Sequence, residues 1–213
     1  RNLTVAGNGA WVLFLRSRSG TDPLTCLWAL DIRTGTERLV ADPTALGDPT
    51  DGELPEAERR RRERARESAE GITSFAVDDR GERACFSLGG HLFVADVARS
   101  TVRSLPATGA VFDPRLDPAG DRVAYVSDRS LRVVALDEDD RFLAGERDPD
   151  VSWGLAEFAA AEEMGRSRGF WWSPDGRHLA VARVDNRPVV RFHIADPAHP
   201  DREPVAHRYP QAG

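Results

Sequence analysis

Two adjacent carboxylates, Glu162 and Glu163, are the residues whose type and spacing best suit binding chemistry. They end a run rich in Ala, Leu and Glu, so a short helix is predicted within 154–164. Neighbouring carboxylates repel one another unless they face water or a cation, and together they can accept the three N–H donors of one ammonium group. The spacing alone leaves two interpretations open: a solvated helix face, or a binding site for an amine.

Three common phosphate- and metal-binding patterns are missing from the sequence. There is no phosphate-binding loop of the Walker type, no paired-cysteine zinc spacing and no His-Glu-x-x-His. The five histidines lie in separate predicted strands or loops. We therefore expect no metal, no cofactor and no catalytic residue within this chain.

Length and composition limit the class of protein. A chain of 213 residues with 40% hydrophobic residues suits one packed domain or part of one. Its 29 basic residues, all of them arginine, are outnumbered by 35 acidic residues, which gives a net charge of −6. This balance argues against a binder of nucleic acid or of anionic membranes, so neither partner is expected.

The cysteines and the first residues of the chain indicate the cellular compartment of the protein. Cys26 and Cys85 lie inside apolar runs, which predicts buried free thiols rather than a disulfide. No apolar run reaches the roughly 18 residues of a membrane helix, and the first residues lack the features of a signal peptide. We expect a cytoplasmic protein. Because the only methionine is Met164, we also expect the chain to be a piece of a longer one.

A short unit recurs four times. In each unit a turn containing glycine precedes an apolar strand, and a second apolar strand follows that ends near an aspartate. Glycine beside Asp or Asn favours a tight reversal, so each unit is predicted to be a β-meander. The predicted strand pairs are 12–15 with 27–30, 84–88 with 92–95, 123–126 with 133–136, and 179–182 with 190–194.

Several of these strands are apolar at consecutive positions instead of alternating, as in 11–15. Such strands must be covered on both faces, and radially stacked four-stranded blades provide that cover. The predicted fold class is therefore all-β: a partial β-propeller of about four blades with short helical insertions.

Two segments interrupt the repeat, at 42–71 and 148–169. The first contains Pro55, which suits the first turn of a helix, followed by an Arg- and Glu-rich run with Glu58 and Arg62 spaced for an ion pair. Since it has few apolar residues, we predict an exposed helix that is polar on all sides. The second segment carries the glutamate pair.

Three stretches resemble the dipeptidyl peptidase IV family, serine exopeptidases of the prolyl oligopeptidase clan. Residues 152–176 are similar to the family's double-Glu helix and its Trp-Trp-Ser-Pro-Asp-Gly strand, and 208–213 to its Arg-Tyr-Pro-x-Ala-Gly stretch. Residues 63–75 are similar to the arginine-bearing segment of its intracellular branch. The likeness covers at least residues 58–213.

The resemblance implies an eight-bladed propeller capped by a C-terminal α/β-hydrolase domain, which supplies the Ser-Asp-His triad and is absent here. Residues 1–213 would be the N-terminal part of the propeller, inactive alone, in a serine-type peptidase that releases N-terminal dipeptides with a penultimate Pro or Ala. Glu162 and Glu163 match the pair that binds the substrate α-ammonium. Arg66, with Arg64 as second choice, matches the arginine that contacts a substrate carbonyl. Implied partners are peptides with a free N-terminus and, through the arm at 184–213, a second copy in a homodimer.

Two other functions remain open. One is a non-catalytic propeller that binds peptides or proteins; the other is the propeller of a related oligopeptidase or acylaminoacyl peptidase, which needs no free amine. Blade repeats do not separate these functions, because a fold does not fix a function. The glutamate pair favours the dipeptidyl peptidase.

Overall fold

The computed structural model describes residues 2–47 and 54–210, with backbone alone for His207. Residues 48–53 of the first insertion and the last three residues of the Arg-Tyr-Pro stretch lie outside this description. No helix within the described ranges is long and apolar enough to cross a membrane.

The first sheet folds from the first repeat unit. Four antiparallel strands follow one another in chain order, and a fifth short strand pairs in parallel with the third. They are β1 (Leu3–Val5), β2 (Trp11–Ser17), β3 (Leu24–Asp31), β4 (Thr36–Ala41) and β5 (Glu70–Gly71). The predicted pair is confirmed, with Leu13 opposite Ala29.

The second and third sheets are four-stranded meanders of the same kind. The second contains β6 (Ala76–Val77), β7 (Arg83–Leu88), β8 (His91–Asp96) and β9 (Thr101–Leu105). The third contains β10 (Val111–Leu116), β11 (Arg122–Ser127), β12 (Ser130–Ala135) and β13 (Asp140–Ala144). Both predicted pairs are confirmed, with Phe86 opposite Phe93 and Ala124 opposite Val133.

Within the described residues, the fourth unit and the chain around it form three two-stranded sheets instead of one four-stranded sheet. The remaining strands are β14 (Val151–Trp153), β15 (Phe170–Trp172), β16 (Leu179–Val181), β17 (Arg183–Asp185), β18 (Arg191–Ile194) and β19 (Val205–Arg208). β15 pairs with β16, and β14 with β17. The predicted pairing of 179–182 with 190–194 is wrong: a turn closed by the bond from Val189 N–H to the Asn186 carbonyl (3.0 Å) redirects the chain, and β18 forms a hairpin with β19.

Neighbouring sheets cover each other's faces. On β7, Phe86 belongs to the apolar cluster shared with the first sheet, whereas the adjacent Cys85 belongs to the cluster shared with the third. On β11, Tyr125 faces the second sheet and Val126 faces β15 and β16. Successive residues of a strand point to opposite faces, so consecutive apolar residues are buried on both sides. The fold is therefore the predicted partial β-propeller, and both cysteines are buried free thiols as predicted.

The turns after the first strands also connect adjacent blades. Arg83 donates to the Gly120 carbonyl (2.8 Å), and Arg122 donates to the Gly176 carbonyl (2.7 Å). Gly120 and Gly176 have φ of 79° and 68°, which the tight turn requires. In both cases the arginine lies two residues after the turn glycine of its own blade. Its side chain donates to the carbonyl of the turn glycine in the next blade.

The arginine-rich helix α1 (Glu56–Ala65) begins directly after Pro55 and is largely exposed, as predicted, but one of its faces is buried against the rest of the structure. Glu58 is only 6% exposed. Its carboxylate accepts two bonds from Arg61 (2.7 and 2.8 Å) and one from Arg62 (2.8 Å), and Thr73 donates to it at 3.3 Å. Ala57 packs against the apolar cluster between the third sheet and β15. The helix docks on the blades because arginines three and four residues beyond Glu58 neutralise its buried charge.

The charge on Glu58 should make this docking depend on pH. Burial opposes ionisation, but the hydrogen bonds and charges of Arg61 and Arg62 outweigh it and hold the pKa of Glu58 below its ordinary value. Such a carboxylate stabilises the folded state above the unfolded pKa of about 4.3, and the contribution is lost as pH falls through the folded pKa. Glu58→Gln should therefore lower the free energy of unfolding by about 2 to 4 kcal/mol at neutral pH and by progressively less below about pH 4.

Urea denaturation of the purified protein at several pH values measures this difference. Glu56→Gln is the matched control, because Glu56 pairs with Arg60 on the exposed face of the same helix; its effect should stay under about 0.5 kcal/mol. A Glu58→Gln difference that is unchanged at about pH 3 would contradict the role assigned to the Glu58 charge.

Candidate functional site

Glu162 and Glu163 lie at the end of a five-residue helix, α2 (Phe158–Glu162). The Glu157 side chain caps its start by accepting from the N–H groups of Ala159 (2.7 Å) and Ala160 (2.8 Å). The Glu163 N–H donates to the Ala159 carbonyl (2.9 Å) and closes the last turn. The predicted helix therefore forms, but it starts only after Glu157 because that side chain provides the cap.

Arg64 of α1 contacts Glu162 of α2. Its Nε donates to Oε1 of Glu162 across 98 residues of sequence. The two side chains remain 30% and 36% exposed, so the ion pair can be reached from solvent. This contact joins the two insertions that interrupt the blade repeat.

Arg66, the first choice from the sequence, lies apart from the glutamates. It ends α1 in the left-handed conformation, with φ of 48°, and its N–H donates to the Glu63 carbonyl (3.1 Å). Its side chain is exposed and, over residues 2–47 and 54–210, forms no ion pair with Glu162 or Glu163. The structure thus brings together Glu162 and the second choice, Arg64.

Glu163 differs from its neighbour. It is exposed, and among the described residues no cation forms an ion pair with its carboxylate. One carboxylate of the pair therefore faces a guanidinium, while the other is open to a ligand.

A cavity of about 450 Å³ lies beside this region. Its lining includes Thr4, Val77, Leu116 and Trp172, which come from β1, β6, β10 and β15, the first strands of the four units. The first strands therefore surround a common space, as they do around a propeller axis. Arg168, in the connection from α2 to β15, also lines this cavity, whereas Glu162 and Glu163 do not.

A buried charge cluster between the two insertions was missed from the sequence. Oδ1 of Asp113 accepts from Nε (2.9 Å) and Nη2 (2.5 Å) of Arg115, while Oδ2 is buried and has no hydrogen-bond partner in the described part of the chain. Burial raises the pKa of Asp113 against the opposing charges of Arg115, Arg168 and Arg61. Burial and the charge of Arg115 lower the pKa of Arg168. Asp113 thus faces three arginines, which come from β10 and from both insertions.

The sequence signal for this cluster was weak. Asp-Pro-Arg at 113–115 puts an acid and a base two residues apart in a strand, where side chains share a face. Nothing in that spacing predicts Arg61 or Arg168 as further neighbours, because both come from the insertions.

Residues 165–169 carry the letters Gly-x-Ser-x-Gly, a pattern associated with catalytic serines. The nucleophile elbow joins a strand to a following helix, whereas this segment leaves α2 and leads into β15. In the described ranges Ser167 makes no hydrogen bond to a histidine. The segment is therefore a connection without elbow geometry. The described residues also contain no group of three His, Cys, Asp or Glu side chains that could hold a metal.

Comparison with known proteins places the chain in a family. The family model described as the dipeptidyl peptidase IV (DPP IV) N-terminal region matches residues 75–213. A probable dipeptidyl peptidase 4 of Aspergillus fumigatus is 29% identical over 122 residues, which cover 56% of this chain and 16% of that protein. A probable dipeptidyl-aminopeptidase B of Fusarium vanettenii is 28% identical over 158 residues, which cover 63% of this chain and 17% of that protein.

A solved structure agrees in fold. The crystal structure of Porphyromonas gingivalis dipeptidyl peptidase 4 superimposes with a TM-score of 0.65 and 21% identity, over 100% of this chain and 29% of that one. This chain thus spans less than a third of the similar proteins it matches. Since the family model covers more than half of its residues, the chain belongs to the family of dipeptidyl peptidase IV N-terminal regions.

Proposed function

We propose that this chain is the substrate-recognising part of a serine-type dipeptidyl peptidase, with Glu162 and Glu163 as the binding site for the substrate α-ammonium. The observation that carries the proposal is the contact between Arg64 and Glu162. It sets one carboxylate of the pair beside a guanidinium at a solvent-reachable position, although the two groups come from separate insertions, and the exposed Glu163 is the next residue in the chain.

The charges suit a peptide amino terminus. Two glutamates and one arginine leave one unbalanced negative charge, which a single ammonium group neutralises. Glu163 has an open carboxylate to accept N–H donors, and Glu162 has a second oxygen besides the one bonded to Arg64. A guanidinium has five N–H donors, so Arg64 keeps donors for a backbone carbonyl of the same peptide.

Binding of the substrate amino terminus at a fixed point would determine the length of the fragment that is released. If the ammonium is held at a set distance from the nucleophile, only two residues fit before the cleaved bond. In this proposal the serine, histidine and aspartate belong to a hydrolase domain beyond this chain, and specificity for Pro or Ala at the second position is set there. The eight-bladed ring and the cytoplasmic location are part of the same proposal.

A homodimer formed through the arm is a further part of it. The hairpin of β18 and β19 exposes apolar side chains on one face, with Ile194 60% and Val205 59% exposed. An apolar face of this kind suits contact with another protein surface. The alternative of a non-catalytic peptide-binding propeller has the same glutamates available, but it predicts binding without turnover.

Removing either glutamate should impair the full-length enzyme selectively. We expect Glu162→Ala and Glu163→Ala each to lower kcat/KM for Ala-Pro and Gly-Pro amides at least about tenfold, because a charge-assisted contact to the ammonium is lost. The N-acetylated amides should be poor substrates for the wild type and insensitive to both substitutions. Glu138→Gln serves as the control, because it removes the charge of an exposed glutamate in the turn between β12 and β13.

Steady-state kinetics on the four proteins decides the matter. Near-normal turnover of free-amine substrates by both alanine variants would defeat the assigned role. Binding of the peptides by a wild type that never cleaves them would favour the non-catalytic alternative.

The two arginines can be separated in the same assay. Arg64→Ala should lower kcat/KM at least about tenfold, since it removes both the partner of Glu162 and the carbonyl donor, whereas Arg66→Ala should cost clearly less. Arg60→Ala, which removes an exposed arginine of the same helix, is the control for loss of charge. If Arg66→Ala has the larger effect, the assignment to Arg64 is wrong.

A further inference from the structure

Helix α2 is too short to be stable by itself. Isolated helices need about 12 to 15 residues in water, and α2 has five. The orientation of Glu162 and Glu163 must therefore come from what packs against the helix. Ala160 is fully buried, but a small methyl group does not fix how a helix rotates about its axis.

An aromatic contact provides that constraint. The ring of Phe158, the first residue of α2, meets the ring of Tyr209 edge to face, with centroids 4.8 Å apart and an angle of 65°. Tyr209 in turn meets Phe192 of β18 at 6.4 Å and 84°. Edge-to-face geometry is the arrangement that aromatic pairs prefer. The three rings connect the glutamate helix to the hairpin of β18 and β19.

Tyr209 is itself held in place from both sides. Its N–H donates to the Val190 carbonyl (3.2 Å). The preceding residue, Arg208, donates from Nε to Oδ1 of Asp150 at 2.8 Å and also contacts Oδ2, where Arg191 donates at 3.0 Å. The hydrogen bonds from Arg208 and then Arg191 lower the pKa of Asp150 to about 2, so these contacts favour its ionised form. Because Asp150 directly precedes β14, the hairpin is tied to the start of the glutamate-bearing insertion.

Phe158 and Glu162 are four residues apart and so share one face of the helix. Contact with Tyr209 holds the Phe158 ring and thereby sets the rotation of α2 about its axis. One helical turn further along, Glu162 contacts Arg64. We propose that Tyr209 is a positioning residue: through Phe158 it orients the glutamate pair, and the arm is thereby part of the substrate site. The kinetic part of this inference rests on the proposed function; the structural part does not.

The test uses the full-length protein with two independent readouts. Hydrogen exchange of the Ala161 and Glu163 amides, which bond within α2, reports the order of the helix. Kinetics on Ala-Pro amide reports substrate binding. Tyr209→Ala should speed exchange of these amides at least about tenfold and raise KM about fivefold, with kcat changed less than about twofold. Tyr209→Phe keeps the ring and should restore both values.

Controls separate positioning from general damage. Tyr209 is 54% exposed, so its truncation opens no core cavity, and exchange in β11 should stay as in the wild type. Phe142→Ala removes an equally exposed aromatic ring (55%) from β13 and should leave the exchange of α2 unchanged.

The outcomes are distinguishable. Unchanged exchange in Tyr209→Ala, or failure of Tyr209→Phe to restore it, overturns the positioning role. If the wild type cleaves no dipeptide amide while exchange still rises in Tyr209→Ala, the proposed function fails and the positioning role stands. Faster exchange with unchanged KM shows that Tyr209 orders the helix without acting on substrate, and overturns the kinetic part.

Discussion

The whole structure depends on one constraint: the apolar residues on both faces of each central strand must be covered. Adjacent residues such as Cys85 and Phe86 bury against different neighbouring blades, so no sheet can leave the stack without exposing one of its faces. The stacking directs the first strands toward one shared space. It also fixes the loops that precede those strands, and both helices belong to such loops. Burial in the blades thus brings the two insertions together, and contacts of the helices then position Arg64 and Glu162.

Paired charges attach the polar segments to this apolar framework. Arg61 and Arg62 neutralise Glu58 so that this face of α1 can be buried, Asp150 with Arg208 ties the hairpin of β18 and β19 to the start of β14, and Arg64 with Glu162 links the two helices. In the first two cases several guanidinium N–H groups converge on one carboxylate, a geometry that the compact ammonium of lysine does not offer. A basic complement made only of arginine therefore has a structural use in this chain, whatever its origin.

Local patterns predicted the blades well, because turn chemistry and apolar runs act over a few residues. The start of α1 after Pro55 was likewise local. Three features were beyond such reasoning. The overall polarity of α1 predicted an exposed helix. It did not indicate that arginines on one face of the helix neutralise Glu58, which allows that residue to be buried. Which of Arg64 and Arg66 contacts Glu162 depended on where the helix ends, and Arg66 is the left-handed residue that closes it. The pairing of β18 with β19 depended on a turn at 186–189 that redirects the chain.

The separation of contacts along the chain has a consequence for assembly. Each blade packs on the blade that precedes it, so these interfaces can close one after another while the ribosome is still extending the polypeptide. Arg64, by contrast, can contact Glu162 only after 98 further residues have been synthesised. Phe158 can likewise contact Tyr209 only once the chain has been extended to that residue. The first three blades are thus expected to fold before Arg64 and Glu162 meet. A newly made chain would consequently pass through a stage at which these blades are folded but the proposed peptide site is not yet assembled.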